Sequence, residues 1–307
     1  MEHKRLLMLT SLASVAVALL LIGAKALAWH LSGSVSLLAS LLDSVVDSIA
    51  SLVNLFAIRY ALVPADAEHR FGHGKAEALA GLGQSAFIGI SALFLLWQAM
   101  GRVITPVPLE DTSIGVGVML FSILLTGLLL LLQRHTIART GSTAVSADRL
   151  HYFSDLAVNV GIIVALLLAA AGLPRFDGLI GLAIGVYILV AAWQLGGESV
   201  QLLLDREMPD EVRTSISNIV ASHELALGFH DLRTRQSGYT QFIQLHVDMD
   251  ERLSLKEAHA LAESIERAIR TRYPAADVII HEDAVAVTPH VPVTPPADAD
   301  GSPTSPP

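Results

Sequence analysis

Residues 41–50 read LLDSVVDSIA and residues 150–158 read LHYFSDLAV. Asp43 and Asp47 stand four residues apart in the first stretch, His151 and Asp155 four apart in the second. Each pair lies in a long apolar run, and a spacing of four puts both side chains on one face of a helix. A carboxylate in hydrocarbon costs about 2.5–3.5 kcal/mol on insertion scales. Three carboxylates and an imidazole become tolerable if the two faces meet and share a divalent cation, and one His with three Asp oxygens is a four-donor set suited to zinc or a similar ion. The plainer account, a hydrogen-bonding partner between neighbouring helices, suits one polar residue better than two matched pairs.

Composition sets the environment. The 307 residues are 52% hydrophobic and 16% charged, with mean hydropathy +0.55, whereas soluble domains carry about 25% charged residues. The chain therefore reads as an integral membrane protein. It has no cysteine, which excludes disulfides, thiolate metal sites and catalytic thiols. The net charge of −9 comes largely from the C-terminal third, and no basic patch for nucleic acid is visible.

Six segments are long enough to span a bilayer: 6–29, 35–62, 76–104, 113–132, 144–171 and 178–204. Ala26-Leu27-Ala28 imitates a signal-peptidase site, but the apolar run before it exceeds the 7–15 residues of a leader; it reads as a span. Lys4, Arg5, Arg59, Arg70, Lys75, Arg134 and Arg139 fall on one side of this arrangement. His30, Glu110, Asp111 and a lone Arg175 fall on the other. The excess of Lys and Arg predicts a cytoplasmic N-terminus and, with six spans, a cytoplasmic C-terminus. Residues 133–142 read as a basic loop.

From residue 206 the pattern becomes α+β. Pro209 and Asp210 open a helix. FHDLRTRQSG and TQFIQLHVDMD form a hairpin turning at 237–239, in which Ile243, Leu245, Val247 and Met249 alternate with polar residues as in a half-buried strand. Ser254 and Glu257 form a capping box ahead of a helix with Leu255, Ala258, Ala262, Ile265 and Ile269 inward, and DVIIHED closes as a third strand. The predicted fold is an α-helical membrane protein with six transmembrane helices (1–205) plus a C-terminal cytoplasmic α-β-β-α-β domain (206–289). A Pro-rich tail, 290–307, reads as disordered.

The stretches LLDSVVDSIASLVN, PADAEHRFGHGKAE, HYFSD, LLDREMPDE, HDLRTRQSG and VIIHED together resemble the cation diffusion facilitator family. The resemblance implies a homodimeric proton-coupled metal efflux antiporter of the bacterial inner membrane, working by alternating access. It carries the transport site onto Asp43, Asp47, His151 and Asp155, where His151 points to zinc; Fe2+, Cd2+, Co2+ and Mn2+ are alternatives. It carries a second metal site onto Asp66, His69 and His73, in a loop that otherwise reads as a solvated turn. A third, two-metal site falls on His230, His246, His259, His281, Glu282 and Asp283, with Asp231 as an extra candidate and ordinary surface histidines as the plain alternative. Lys75 and Asp205 match an ion pair at the membrane boundary.

The expected partners are therefore a second copy of the chain, divalent metal ions, protons and the lipid bilayer, with no nucleic acid. No catalytic residues are expected: a metalloenzyme would show HExxH or a comparable signature, and no HExxH occurs. A passive metal channel and a membrane metal sensor remain as rival functions.

Overall fold

The structure, a computed structural model, describes residues 2–33, 35–104, 113–171 and 176–286. The first six helices are α1 (Glu2–Ser32), α2 (Val35–Ala61), α3 (Lys75–Ile104), α4 (Ser113–Thr140), α5 (Thr143–Ala170) and α6 (Phe176–Leu203). Among the described residues, all but α5 are long and apolar enough to cross a membrane. The 28-residue α5 is as long, and after Asp155 its sequence carries no charged residue to its end at Ala170. The chain is thus a multi-pass membrane protein. The expected turns at 105–112 and 172–175, with Glu110, Asp111 and Arg175, lie outside the described residues, as does the Pro-rich tail.

The basic loop expected after residue 132 is instead helix. α4 continues to Thr140 because its extension has a packed polar face. Gln133 and Thr136 are fully buried, and Thr136 Oγ1 lies 2.7 Å from Thr10 Oγ1 of α1. The helix stops where Gly141 adopts φ +63° and its N–H bonds to Ile137 O, a left-handed C-terminal cap.

α3 and α6 pack along each other through a seam of small residues. A Cβ on Gly178 would lie 2.6 Å from Val103 Cγ2, and one on Gly185 2.8 Å from Leu96 Cδ2. Such approach is how helices gain contact area in lipid, where no hydrophobic drive brings them together. Ion pairs pin both ends of this pair: Arg102 Nη1 to Asp177 Oδ2 at 2.8 Å and Lys75 Nζ to Asp205 Oδ2 at 3.0 Å.

The C-terminal domain contains α7 (Asp210–Ala221), β1 (Gly228–Ser237), β2 (Thr240–Asp250), α8 (Leu255–Arg272) and β3 (Ala276–Val285). β2 is central, antiparallel to β1 and parallel to β3. Ile243, Leu245, Val247 and Met249 on one face of β2 are buried against Ile216 and Val220 of α7 and Ile265 and Ile269 of α8. The Ser254–Glu257 capping box forms in both directions. Leu255, expected inward, is 82% exposed: it is the first helical residue, and the apolar stripe starts one turn later at Ala258.

The hairpin turn of this domain presses on the start of α3. A Cβ on Gly74 would fall 2.3 Å from Ser237 O. Beside it the Arg235 guanidinium sits 4.9 Å from the Phe71 ring centre and 4.6 Å from that of Phe242, and Arg235 Nη1 lies 3.3 Å from Asp205 Oδ1. Asp205 thus joins α3, α6 and the C-terminal domain.

Candidate metal centres

Three groups of candidate ligands converge among the described residues, each with donor atoms within 4.8 Å of one another. The first is intramembrane. α2 supplies Asp47, and α5 supplies His151 and Asp155 one turn apart. His151 Nε2 lies 3.3 Å from Asp47 Oδ1 and 3.9 Å from Asp155 Oδ2, yet it is buried and makes no well-formed hydrogen bond. A buried nitrogen left unbonded between two carboxylates is costly in a protein alone and fits a cation held by all three. Asp43, the fourth expected ligand, is exposed and outside this cluster.

A residue the spacing argument passed over lies just below. Asp148, three residues before His151 and so on the same side of α5, is 1% exposed. Gln133 Nε2 donates to its Oδ2 at 2.8 Å and Ser51 Oγ to its Oδ1 at 3.4 Å. Tyr152 donates its OH to Ser14 O at 2.9 Å and lies 3.0 Å from Ser51 Oγ. This network ties α1, α2, α4 and α5 together beside the cluster and fixes the height of His151. The signal in the sequence was one more acidic residue at helical spacing.

The second group, Asp66, His69 and His73, lies in the turn between α2 and α3. His73 Nε2 is 3.4 Å from Asp66 Oδ2 and His69 Nδ1 3.5 Å from Asp66 Oδ1. His73 is buried with Nδ1 3.4 Å from Val63 O, an outer contact that aims its other nitrogen at the acid. The N–H groups of His69 (2.6 Å) and Glu68 (3.0 Å) donate to Asp66 Oδ1. That of His69 above all holds the Asp66 carboxyl below its usual range, leaving an ionised oxygen ready for a cation.

The third group sits on the outer face of the sheet. Strand register places His230 opposite His246 and His246 opposite His281, a row of imidazoles across three strands. Two residues on, Asp248 stands opposite Asp283. His246 Nδ1 is 2.8 Å from Asp283 Oδ2, His230 Nε2 3.4 Å from the same oxygen, and His281 Nε2 3.3 Å from Asp283 Oδ1. The His246 bond is the main reason the Asp283 carboxyl lies below its usual range, with the neighbouring imidazoles adding to it. Asp248, read in the sequence only as a polar strand position, lies 3.4 Å from His230 Nδ1.

The six residues expected as one site divide between the two faces. Strand alternation turns Glu282 to the helix side, where its Oε1 is 3.8 Å from His259 Nδ1 of α8, away from His281 and Asp283. Asp231 stands at the rim, 4.0 Å from His246 Nε2. It occupies an irregularity in the β1–β2 register with φ +50°, and Arg233 engages its carboxylate at 2.8 Å.

Comparison with known proteins adds a second line. A family model described as "Cation efflux transmembrane domain" matches residues 11–204, and one described as "Cation efflux protein, cytoplasmic domain" matches residues 208–285. The "Cation-efflux pump FieF" of Yersinia pestis (strain Pestoides F) is 50% identical over 288 residues, covering 94% of this chain and 96% of the relative. The protein of the same name from Yersinia pseudotuberculosis serotype I (strain IP32953) matches with the same identity and coverage. A solved chain of CzrB is 28% identical with a TM-score of 0.25, covering 26% of this chain and 99% of that one.

Proposed function

The chain belongs to the cation efflux family, the cation diffusion facilitators, and from that premise we propose that it exports Zn2+ in exchange for protons. The proposal includes a homodimer of six-span protomers in a bacterial inner membrane, with both termini cytoplasmic and one metal path per protomer. The observation that supports it best is the cluster of the half-buried Asp47 and Asp155 around the buried His151, with His151 Nε2 unbonded between two acids.

Carboxylate and imidazole bind a metal only when deprotonated, so metal and protons compete for the same oxygens and nitrogen. Metal arriving from the cytoplasm displaces protons; protons arriving from outside release the metal. Asp43 completes the donor set when α2 turns by about half of the 40° that separates it from Asp47 on an ideal helix, so that both acids flank the site. The imidazole favours zinc among divalent ions that Asp and His accept, a preference of degree.

The loop group would hold a second ion near the cytoplasmic surface. The sheet group would bind metal that draws the two C-terminal domains of a dimer into one arrangement, so that activity rises with cytoplasmic metal. This requires the two arrangements to bind metal with different affinity.

Zinc flux into proteoliposomes under an imposed pH gradient tests the proposal. Uptake should follow the gradient and vanish in Asp47→Ala and Asp155→Ala. Full transport by either variant would reject the ligand assignment; flux indifferent to the gradient would indicate a channel, and zinc binding without flux a sensor.

A further inference from the structure

α1 is apolar nearly throughout, yet Lys25 stands in its C-terminal half. Its ammonium is turned onto α2, where Nζ donates to Ser44 Oγ at 2.5 Å and to Ser40 O at 3.2 Å. Ser40, Ser44 and Asp47 follow one another at intervals of four and three, so they form one stripe on α2. The ammonium therefore sits on the Asp47 stripe, about one turn of helix from that carboxylate. It lies towards the N-terminal end of α2, the membrane face away from the loop group at residues 66–73.

We propose that Lys25 is a tethered cation of the transport site, balancing its acids when no metal is bound and weakening metal binding by like-charge repulsion when one is. An ammonium has three donors and no lone pair, so Lys25 is not a ligand. It is a positioning charge, and its bonds to Ser40 and Ser44 keep it from collapsing onto Asp47. The arrangement has two consequences. A site with three or four acidic and imidazole donors would otherwise hold a divalent ion too tightly to turn over, and Lys25 lowers that affinity. A cation on the release side also opposes backward passage of metal through an empty site. This inference rests on the transport reading of the same cluster.

The alternative is that Lys25 only pins α1 to α2. Two substitutions separate the accounts: Lys25→Gln keeps a donor for Ser40 and Ser44 without charge, and Lys25→Arg keeps the charge. Zinc flux in proteoliposomes is measured for both. Equilibrium zinc binding to the purified full-length protein is measured alongside, counted as the part lost on Asp47→Ala.

Lys25→Gln should lower the KM for zinc and the dissociation constant by about a hundredfold or more, the size expected for a monovalent and a divalent cation about 10 Å apart at an effective dielectric near 20. It should lower the maximal rate at the same time. Lys25→Arg should restore the KM to within about threefold of wild type. An unchanged or raised KM and dissociation constant in Lys25→Gln would overturn the inference, as would an equal effect of Gln and Arg. If Lys25→Gln cannot be produced folded, Lys25→Met must show the same opposed changes or the inference fails. Absence of flux in wild type would reject the transport reading; the binding difference between Gln and Arg then decides the role of Lys25 alone.

Discussion

Gly74→Ala tests how the C-terminal domain is seated on the membrane domain. The new methyl group would fall 2.3 Å from Ser237 O and 2.5 Å from Ser237 C, where ordinary contacts begin near 3.4 Å. Both are backbone atoms of a tight turn, and across it a Cβ on Gly238, at φ +57°, would lie 3.0 Å from Gly74 Cα. Neither side can yield by rotating a side chain, so the hairpin must lift by about 1 Å, and overpacking of this kind costs about 1–3 kcal/mol. The Lys75–Asp205 pair, with both side chains 39% exposed, adds at most about 1 kcal/mol if it is stretched. The steric contribution therefore dominates. A destabilisation confined to the junction should speed its opening by about 5- to 150-fold. Hydrogen exchange followed by mass spectrometry should show this for peptides covering 64–77 and 203–211, while α8 exchanges as in wild type. The matched control is Gly83→Ala, within α3, whose Cβ meets nothing within 4 Å and which should be neutral or slightly stabilising. Wild-type exchange at the junction in Gly74→Ala, or equal acceleration in α8, would refute the seating described here.

His151→Asp replaces the imidazole by a fourth carboxylate and should shift selectivity in competition flux assays away from zinc, towards manganese; an unaltered ranking would count against a ligand role. The double substitution His246→Ala with His281→Ala removes two of the three imidazoles in the sheet row, and stimulation of flux by cytoplasmic metal should disappear while basal flux persists. Asp205 should make the junction acid-sensitive. Burial raises its carboxyl, but bonds from Lys75 and Arg235 outweigh this and hold it below its usual range. A carboxyl lowered in the folded state stabilises above its ordinary titration range and loses that contribution as pH falls through the lowered value. Junction exchange should therefore accelerate on acidification below about pH 4, and Asp205→Asn should flatten that dependence. Ile265→Ala, at a fully buried core position, should cost the C-terminal domain about 2–5 kcal/mol in thermal or denaturant unfolding.

Periodicity made the spans, the α+β domain and the Ser254 cap legible, because each is a local property of the chain. Pairing across elements was less legible. The imidazole row depends on the β1–β2 and β2–β3 register, and Asp248 could be tied to His230 only once Gly228 was known to face it. Glu282 illustrates the reverse error: adjacency to His281 and Asp283 in the sequence suggested one site, and strand alternation puts it on the other face. The extension of α4 was hidden for a similar reason. Gln133, Arg134, His135 and Thr136 look like a loop until Thr10 and Asp148 are found facing Thr136 and Gln133.

The separation of Asp43 from the intramembrane cluster has the same origin. Four-residue spacing states that two side chains share a flank of one helix; it does not state which flank meets the neighbour. At 100° per residue, Asn54, Asp47, Ser51 and Ser44 span an arc of about 80°, and Asn54, Ser51 and Ser44 are buried. Asp43 falls about 20° beyond the Asn54 edge of that arc. The packing of small hydroxyl residues against α1 and α5 thus selects Asp47 and leaves Asp43 at the margin. Because the margin is narrow, a modest turn of α2 would add Asp43 to the three donors, and under the proposed transport reading two donor counts in one helix pair would let the site bind an ion and then release it.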